Sequence, residues 1–348
     1  MLGAVKYGLL ALLLYGLGGL YGMVVCLASY FGLAALARDS AKKHGISESD
    51  ASRMGGSVVL LYLLGSLFLS TGSASSNLEL VQSLAVVVPM VAIYLVGLSD
   101  DIGIELSPSR RLLLLLLILS ASLWVLGETL WDRLGLVQQL LYSVLLLVAS
   151  GFFINAVNTA DGANGLVSGT VLIFLLVALE KAALNSTLLM VVTSCLVGVG
   201  LFFILNICLG RFFLGDGGSY LLGMLVVLVL WQQIAAFSLQ SLLLLVAVLT
   251  YPLYDLLFSA ARRLLAGRSP MAADNGHLHN LVYRRVSKTI PANSANSVTG
   301  VGIALVFAGP VYLFRDGSAG DIALLFCGQI ALYSALWVLL ARPKKNAP

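Results

Sequence analysis

Charge is what this sequence has least of: only 10% of its 348 residues are Asp, Glu, Lys or Arg. A soluble domain carries about 25%, so the chain has too few charges to cover a surface in water. Histidine is scarcer still, at three residues. The four cysteines (Cys26, Cys195, Cys208 and Cys327) sit inside apolar runs without paired spacing, which argues against a disulfide framework or a cysteine metal centre. No short-period repeat and no soluble domain is evident. The first apolar run, Lys6 to Ala37, is too long for a signal-peptide core and lacks a clear cleavage pattern, so it reads as a span.

What is present is apolar: 59% hydrophobic residues and a mean hydropathy of +0.99. Many runs reach the ~20 residues that cross a hydrocarbon core of ~30 Å as helix. They are continuous and Leu-rich rather than alternating, which favours helices over a barrel. The expected fold is all-α, a polytopic membrane protein with about eleven transmembrane helices in one domain, 1–348. The spans fall near 7–36, 56–70, 81–99, 112–126, 137–155, 165–179, 188–208, 219–232, 235–258, 296–314 and 322–340. The one long hydrophilic segment is 259–295. Threading the chain through these spans puts 16 of its 20 lysines and arginines on one side, leaving Lys6, Arg133, Lys181 and Arg315 on the other. By the positive-inside rule the N-terminus is periplasmic and the C-terminus cytoplasmic. The net charge of +4 is modest, and no nucleic-acid partner is expected.

Polar side chains near a bilayer are costly and are functional candidates by default. Four clusters stand out, all on the positive side. Asp100 and Asp101 are adjacent carboxylates that call for a nearby cation or a shared proton; Mg²⁺ would serve, and so would Arg110 and Arg111 at a helix end. In Asn155–Gly165, Asn155, Asn158 and Asp161 are spaced by three and share a face if the fifth span continues. That pattern suits a metal or a nucleotide base, though Asn and Gly also end helices. In Phe213–Gly223, glycines around Asp216 open a helix whose N-terminus could hold phosphate, with Ser219 as its cap and Phe213 placed to stack on a base. In Ala273–Arg285, His277 and His279 stand with Asp274 among arginines, a pairing that suits pyrophosphate or an anionic lipid surface.

Taken in order, Ser52–Gly56, Asp100–Asp101, N-x-x-N-x-x-D-G-x-x-G, G-D-x-G-S and D-x-x-H-x-H resemble the motifs of the polyprenyl-phosphate N-acetylhexosamine-1-phosphate transferases. The resemblance runs over nearly the whole chain. It implies a bacterial inner-membrane enzyme whose active site faces the cytoplasm, joining UDP-N-acetylhexosamine to undecaprenyl phosphate with release of UMP; a homodimer is compatible with it. It implies Mg²⁺, with Mn²⁺ as an alternative, held by Asn158 and Asp216, and a lipid phosphate positioned or deprotonated by Asp100 and Asp101. Asp161, Asn164 and Phe213 would face the uridine, and Asn155 would stand with them in the substrate site. His277, His279, Arg53 and Arg211 would face phosphates. Asn164 and Asn280 depart from the family, which often has Asp and His there. The rival reading from another class is a secondary transporter, which would place polar groups near the bilayer midplane; these clusters lie at span ends.

Overall fold

The computed structural model describes residues 2–33, 52–71, 77–104, 106–126, 135–270 and 274–341. The cations Arg38, Lys42, Lys43, Arg133, Arg342, Lys344 and Lys345, the last residues of the first span and residues 72–76 lie outside the described residues. The rest is nearly all helix: α1 (Leu2–Leu27, continued by a π-turn at Ala28–Gly32), α2 (Gly56–Thr71), α3 (Asn77–Asp101), α4 (Pro108–Leu126), α5 (Leu136–Ala160), α6 (Leu166–Lys181), α7 (Ser186–Leu209), α8 (Gly215–Ala235), α9 (Leu239–Val248), α10 (Thr250–Leu265), α11 (Leu278–Val286), α12 (Ala292–Phe307), α13 (Gly309–Leu313) and α14 (Ala319–Ala341).

Every expected span falls on a helix, but the helices are not equal. Among the described residues, eight segments are long and apolar enough to cross a membrane, or nine if one bent pair is a single span. The helices α2 and α6 have 16 residues each, about 24 Å at 1.5 Å per residue, short of a ~30 Å core. The expected span 235–258 is corrected to two helices, α9 and α10, bent by 65°. The break is at Leu249, whose ψ of 10° departs from helical geometry. Pro252 supplies no N–H to the preceding turn, and proline is tolerated only in a helix's first turn. The Thr250 hydroxyl instead bonds the Ala247 carbonyl and Gln329, both at 2.7 Å. Within the hydrophilic segment 259–295, α10 continues to Leu265 and α11 spans Leu278–Val286.

The helix α8 is the central pillar. Nearly all of its residues from Gly215 to Trp231 are buried, and it packs most extensively against α3 and α5. Outward-facing leucines, valines and aromatics elsewhere, among them Trp124, Leu136 and Phe68, form the apolar exterior a bilayer requires. The described cations divide by end. Lys181 and Arg315 lie at the end of the bundle where α6 and α13 stop, paired with Asp316 and Glu180. At the opposite end stand Arg53, Arg111 and Arg262, together with the polar clusters.

Candidate functional site

That opposite end is assembled by close backbone approach. Residues 52–56, just before α2, run alongside 211–214, just before α8: Ser52 N–H bonds the Arg211 carbonyl (3.0 Å), Phe213 N–H bonds Ser52 (2.8 Å), and Gly55 and Gly56 N–H bond Phe213 and Leu214 (2.8 and 2.9 Å). Glycine is needed where the two segments touch. A Cβ on Gly56 would lie 2.6 Å from the Gly218 nitrogen, and Gly215 has φ +78 with Asp101 Oδ2 only 2.6 Å from where its Cβ would be, a left-handed conformation that favours glycine.

This approach sets four carboxylates against two guanidiniums. Arg53 reaches Asp216 Oδ1 at 2.6 Å and Asp101 Oδ1 at 3.3 Å. Arg111 reaches Asp100 at 2.7 Å and Asp216 Oδ2 at 3.7 Å. The two adjacent aspartates therefore do different things. Asp101 is 1% exposed and accepts the first-turn N–H groups of Asp216 (3.0 Å) and Gly217 (2.8 Å), so it caps α8 from a neighbouring helix. Asp100, partly open to solvent, faces Arg111. Two expectations are corrected here. The N-terminus of α8 is not a free phosphate cradle, because a carboxylate already takes those donors. Nor does Ser219 cap the helix: its hydroxyl bonds the Asn158 amide oxygen (2.5 Å) and the Asp216 carbonyl (3.1 Å).

The fourth carboxylate, Asp161, is the C-cap of α5. Burial pushes its carboxyl up to about 7, against the pull of Arg53; the Asp216 carboxylate adds to the rise and the Gly215 N–H opposes it. With all four ionised the cluster carries an excess of two negative charges, which one divalent cation would offset. Among the described residues no group of three or more His, Cys, Asp or Glu is placed to hold a metal ion by itself. Mg²⁺ does not need one: it takes one or two carboxylates and completes its shell with water and substrate phosphate. The Asp216 carboxylate and the Asn158 amide oxygen are hard donors of the kind that demand calls for; Ser219 ties Asn158 to the Asp216 backbone carbonyl.

Beside the carboxylates opens a polar cavity of about 370 Å³, lined by Arg53, Asp161, Gly162, Ala163, Asn164, Asn206, Phe213, Asn280 and Asn296. An amide network shapes it. Asn206 Oδ1 accepts the Gly165 N–H (2.7 Å), while its Nδ2 donates to Asn164 Oδ1 (3.1 Å) and to the Phe212 carbonyl (2.8 Å). Asn296 Oδ1 accepts the Asn164 N–H at 3.2 Å. Two buried donors of the residues lining the cavity have no partner among the described residues, Arg53 Nη1 and Asn164 Nδ2. Buried donors are nearly always paired, so a cavity holding two such donors beside an aromatic ring suits a ligand rich in acceptor oxygens.

The histidines reach the same place from α11. Their rings stack at 5.4 Å and 8°, and the His279 ring abuts Gly162, where a Cβ would lie 2.7 Å from Cδ2 and 2.9 Å from Cε1. His279 is 3% exposed, and burial holds its imidazole down to about 4, with Asp255 pulling up and His277 down. Asp274 turns instead to Arg262 and to the Gly276 N–H (2.9 Å). Its carboxyl is lowered: burial opposes this, and the Gly276 N–H, Arg262 and His277 overcome it.

The structure thus brings together Arg53, Asp100, Asp101, Asn158, Asp161, Asn164, Phe213, Asp216, His277 and His279. Two expected members stand apart. Asn155 spends its amide on the Gly151 carbonyl of its own helix (2.7 Å), and Arg211 is exposed and gives the site its backbone carbonyl rather than a place in the cavity wall. The sequence reading missed Asn206, Asn296 and Asp255. A lone acid in the apolar run Leu249–Phe258 was the available signal for the last.

The central 83–234 matches the model of glycosyl transferase family 4. The chain is 28% identical over 293 residues to a decaprenyl-phosphate N-acetylglucosaminephosphotransferase of Mycobacterium tuberculosis, covering 74% of this chain and 71% of that protein. It is 27% identical over 198 residues to an undecaprenyl-phosphate alpha-N-acetylglucosaminyl 1-phosphate transferase of Thermotoga maritima, covering 57% and 61%. To a probable undecaprenyl-phosphate N-acetylglucosaminyl 1-phosphate transferase of Bacillus subtilis it is 32% identical over 136 residues, 36% of each chain.

Proposed function

We infer that this chain, a member of glycosyl transferase family 4, transfers N-acetylhexosamine-1-phosphate from a UDP-sugar to undecaprenyl phosphate, releasing UMP at the cytoplasmic face of a bacterial inner membrane. The product would begin a lipid-linked cell-envelope polysaccharide. The observation that carries the reading is the 370 Å³ cavity with its two unpartnered donors, Arg53 Nη1 and Asn164 Nδ2, opening against four carboxylates.

The chemistry asked of such a site is to bring two anions together and to neutralise charge gathering on phosphorus. Phe213 and the amides of Asn164, Asn206 and Asn296 suit a nucleoside, offering a flat ring and hydrogen-bond complementarity. Arg53 lies between cavity and carboxylates, so it can hold a diphosphate oxygen while remaining tied to Asp216. Arg111 and Asp100 stand where a lipid phosphate would meet the site, the guanidinium attracting it and the carboxylate available to take its proton. Asp216 and Asn158 would hold Mg²⁺, which when bound neutralises diphosphate oxygens. Asp101, committed to capping α8, acts by fixing Asp216 in place. The isoprenoid tail would lie along the apolar exterior.

The test is the full chain in nanodiscs with undecaprenyl phosphate and a panel of UDP-sugars, reading UMP release and the mass of the lipid product. The expected result is one lipid-diphosphate-sugar from wild type and none from a folded Asp216→Asn variant. No lipid product from any UDP-sugar, or undiminished product from Asp216→Asn, would defeat the reading.

A further inference from the structure

The two histidines are held by partners of opposite kind. His277 Nδ1 lies 2.6 Å from Asp255 Oδ2. Asp255 is fully buried and also receives the Tyr333 hydroxyl (2.5 Å) and the Leu278 N–H (3.3 Å) on its other oxygen. A carboxylate so placed accepts, so His277 carries its proton on Nδ1. His279 Nδ1 lies 3.0 Å from the Tyr251 hydroxyl, which also accepts the His279 backbone N–H at 3.2 Å. With its oxygen accepting that N–H, the tyrosine turns its own proton to Nδ1. His279 is therefore the opposite tautomer, bare at Nδ1 and protonated at Nε2. Among the described residues neither Nε2 has a hydrogen-bond partner, and that of His279 stands against Gly162 at the cavity wall.

We propose that Asp255 is a positioning residue which, with Tyr251, sets the stacked pair in opposite states at Nδ1, protonated on His277 and bare on His279, so that His279 Nε2–H donates to an anionic oxygen in the cavity. The inference rests on the reading of the cavity as a diphosphate site, but its structural half does not need turnover. Tyr333 holds the rear of Asp255, and Arg262 stays with Asp274 and above the Trp337 ring (5.4 Å), so neither cation nor acid from that side competes for the ring nitrogens. Second partners of this kind fix the tautomer and orientation of an imidazole.

The chain's three histidines make ¹⁵N-histidine NMR in nanodiscs tractable, with His277→Gln and His279→Gln to assign the signals. The expected spectrum has a protonated Nδ1 on His277 and a protonated Nε2 with bare Nδ1 on His279. Asp255→Ala should abolish the His277 preference, leave His279 as it was, and lower kcat at least tenfold with KM for the UDP-sugar within twofold; Asp255→Glu should recover part of kcat. A bare Nδ1 on His277, or full turnover by folded Asp255→Ala, overturns the proposal. If wild type shows the expected nitrogen states yet forms no lipid product, the pairing stands and the transferase reading falls.

Discussion

Adding one methyl group at Gly162 tests whether the α5 loop and the α11 histidines meet. Gly162 has no positive φ to forbid alanine, so the effect is one of space. The new Cβ would lie 2.7 and 2.9 Å from His279 Cδ2 and Cε1, where carbon atoms settle at about 3.5–4.0 Å. The ring must retreat by about 1 Å. It is 3% exposed, stacked on His277 and bonded through Tyr251, so it has no free direction. Stretching the 3.0 Å Tyr251 bond by that much ends it, a loss of about 1 kcal/mol, and overpacking adds about 1–3 kcal/mol. A displacement of this size at a reacting centre lowers rates by about 10²-fold. Gly162→Ala should therefore reduce UMP release about 100-fold in nanodiscs and lower the unfolding temperature. Gly162→Ala combined with His279→Ala should regain the stability, because the methyl now has room, and regain no turnover. Turnover by Gly162→Ala within twofold of wild type would refute the contact and the convergence built on it.

Three further outcomes are expected. Gly56→Ala, whose methyl would meet the α8 backbone at Gly218, should destabilise the chain by about 1–3 kcal/mol and loosen the Arg53–Asp216 pair, read as a lower melting temperature with reduced turnover. Excess chelator should stop product formation and added Mg²⁺ or Mn²⁺ restore it; full activity in chelator would exclude the divalent ion. His279 keeps its proton off down to about 4 instead of the usual 6.5, so between those values the folded chain binds fewer protons than the unfolded one. Its contribution to stability is whole above pH 6.5 and is lost as pH falls toward 4. Replacing it in His279→Gln should flatten that part of the stability–pH curve; an unchanged slope would show that His279 titrates normally.

The helices were legible because their signal is additive: each window of apolar residues lands on a helix. The bend at Leu249 was not, since hydropathy averages over a break and Pro252 sits where a helix can also begin. The site was legible in its types and less so in its roles. Asp100 and Asp101 are neighbours in sequence, yet one helix end directs the first toward Arg111 and buries the second under α8, a difference only tertiary contact creates. Asn155 matches the spacing of Asn158 but bonds back to its own helix. Asn206 and Asn296 lie in apolar or Ala- and Ser-rich stretches, where an isolated amide carries no periodic signal. Asp255 did carry a signal, as a lone acid in the apolar run Leu249–Phe258, but no motif around it said what it does.

The order in which the ribosome delivers these parts matters. Asp101 receives its capping donors from residues 216 and 217, and Gly162 meets its imidazole at residue 279. During insertion the acidic end of α3 must wait, solvated by water at the membrane surface, while more than a hundred further residues emerge. A half-made chain can span the bilayer and still hold no assembled centre; the cluster closes only once the last third of the chain has been made.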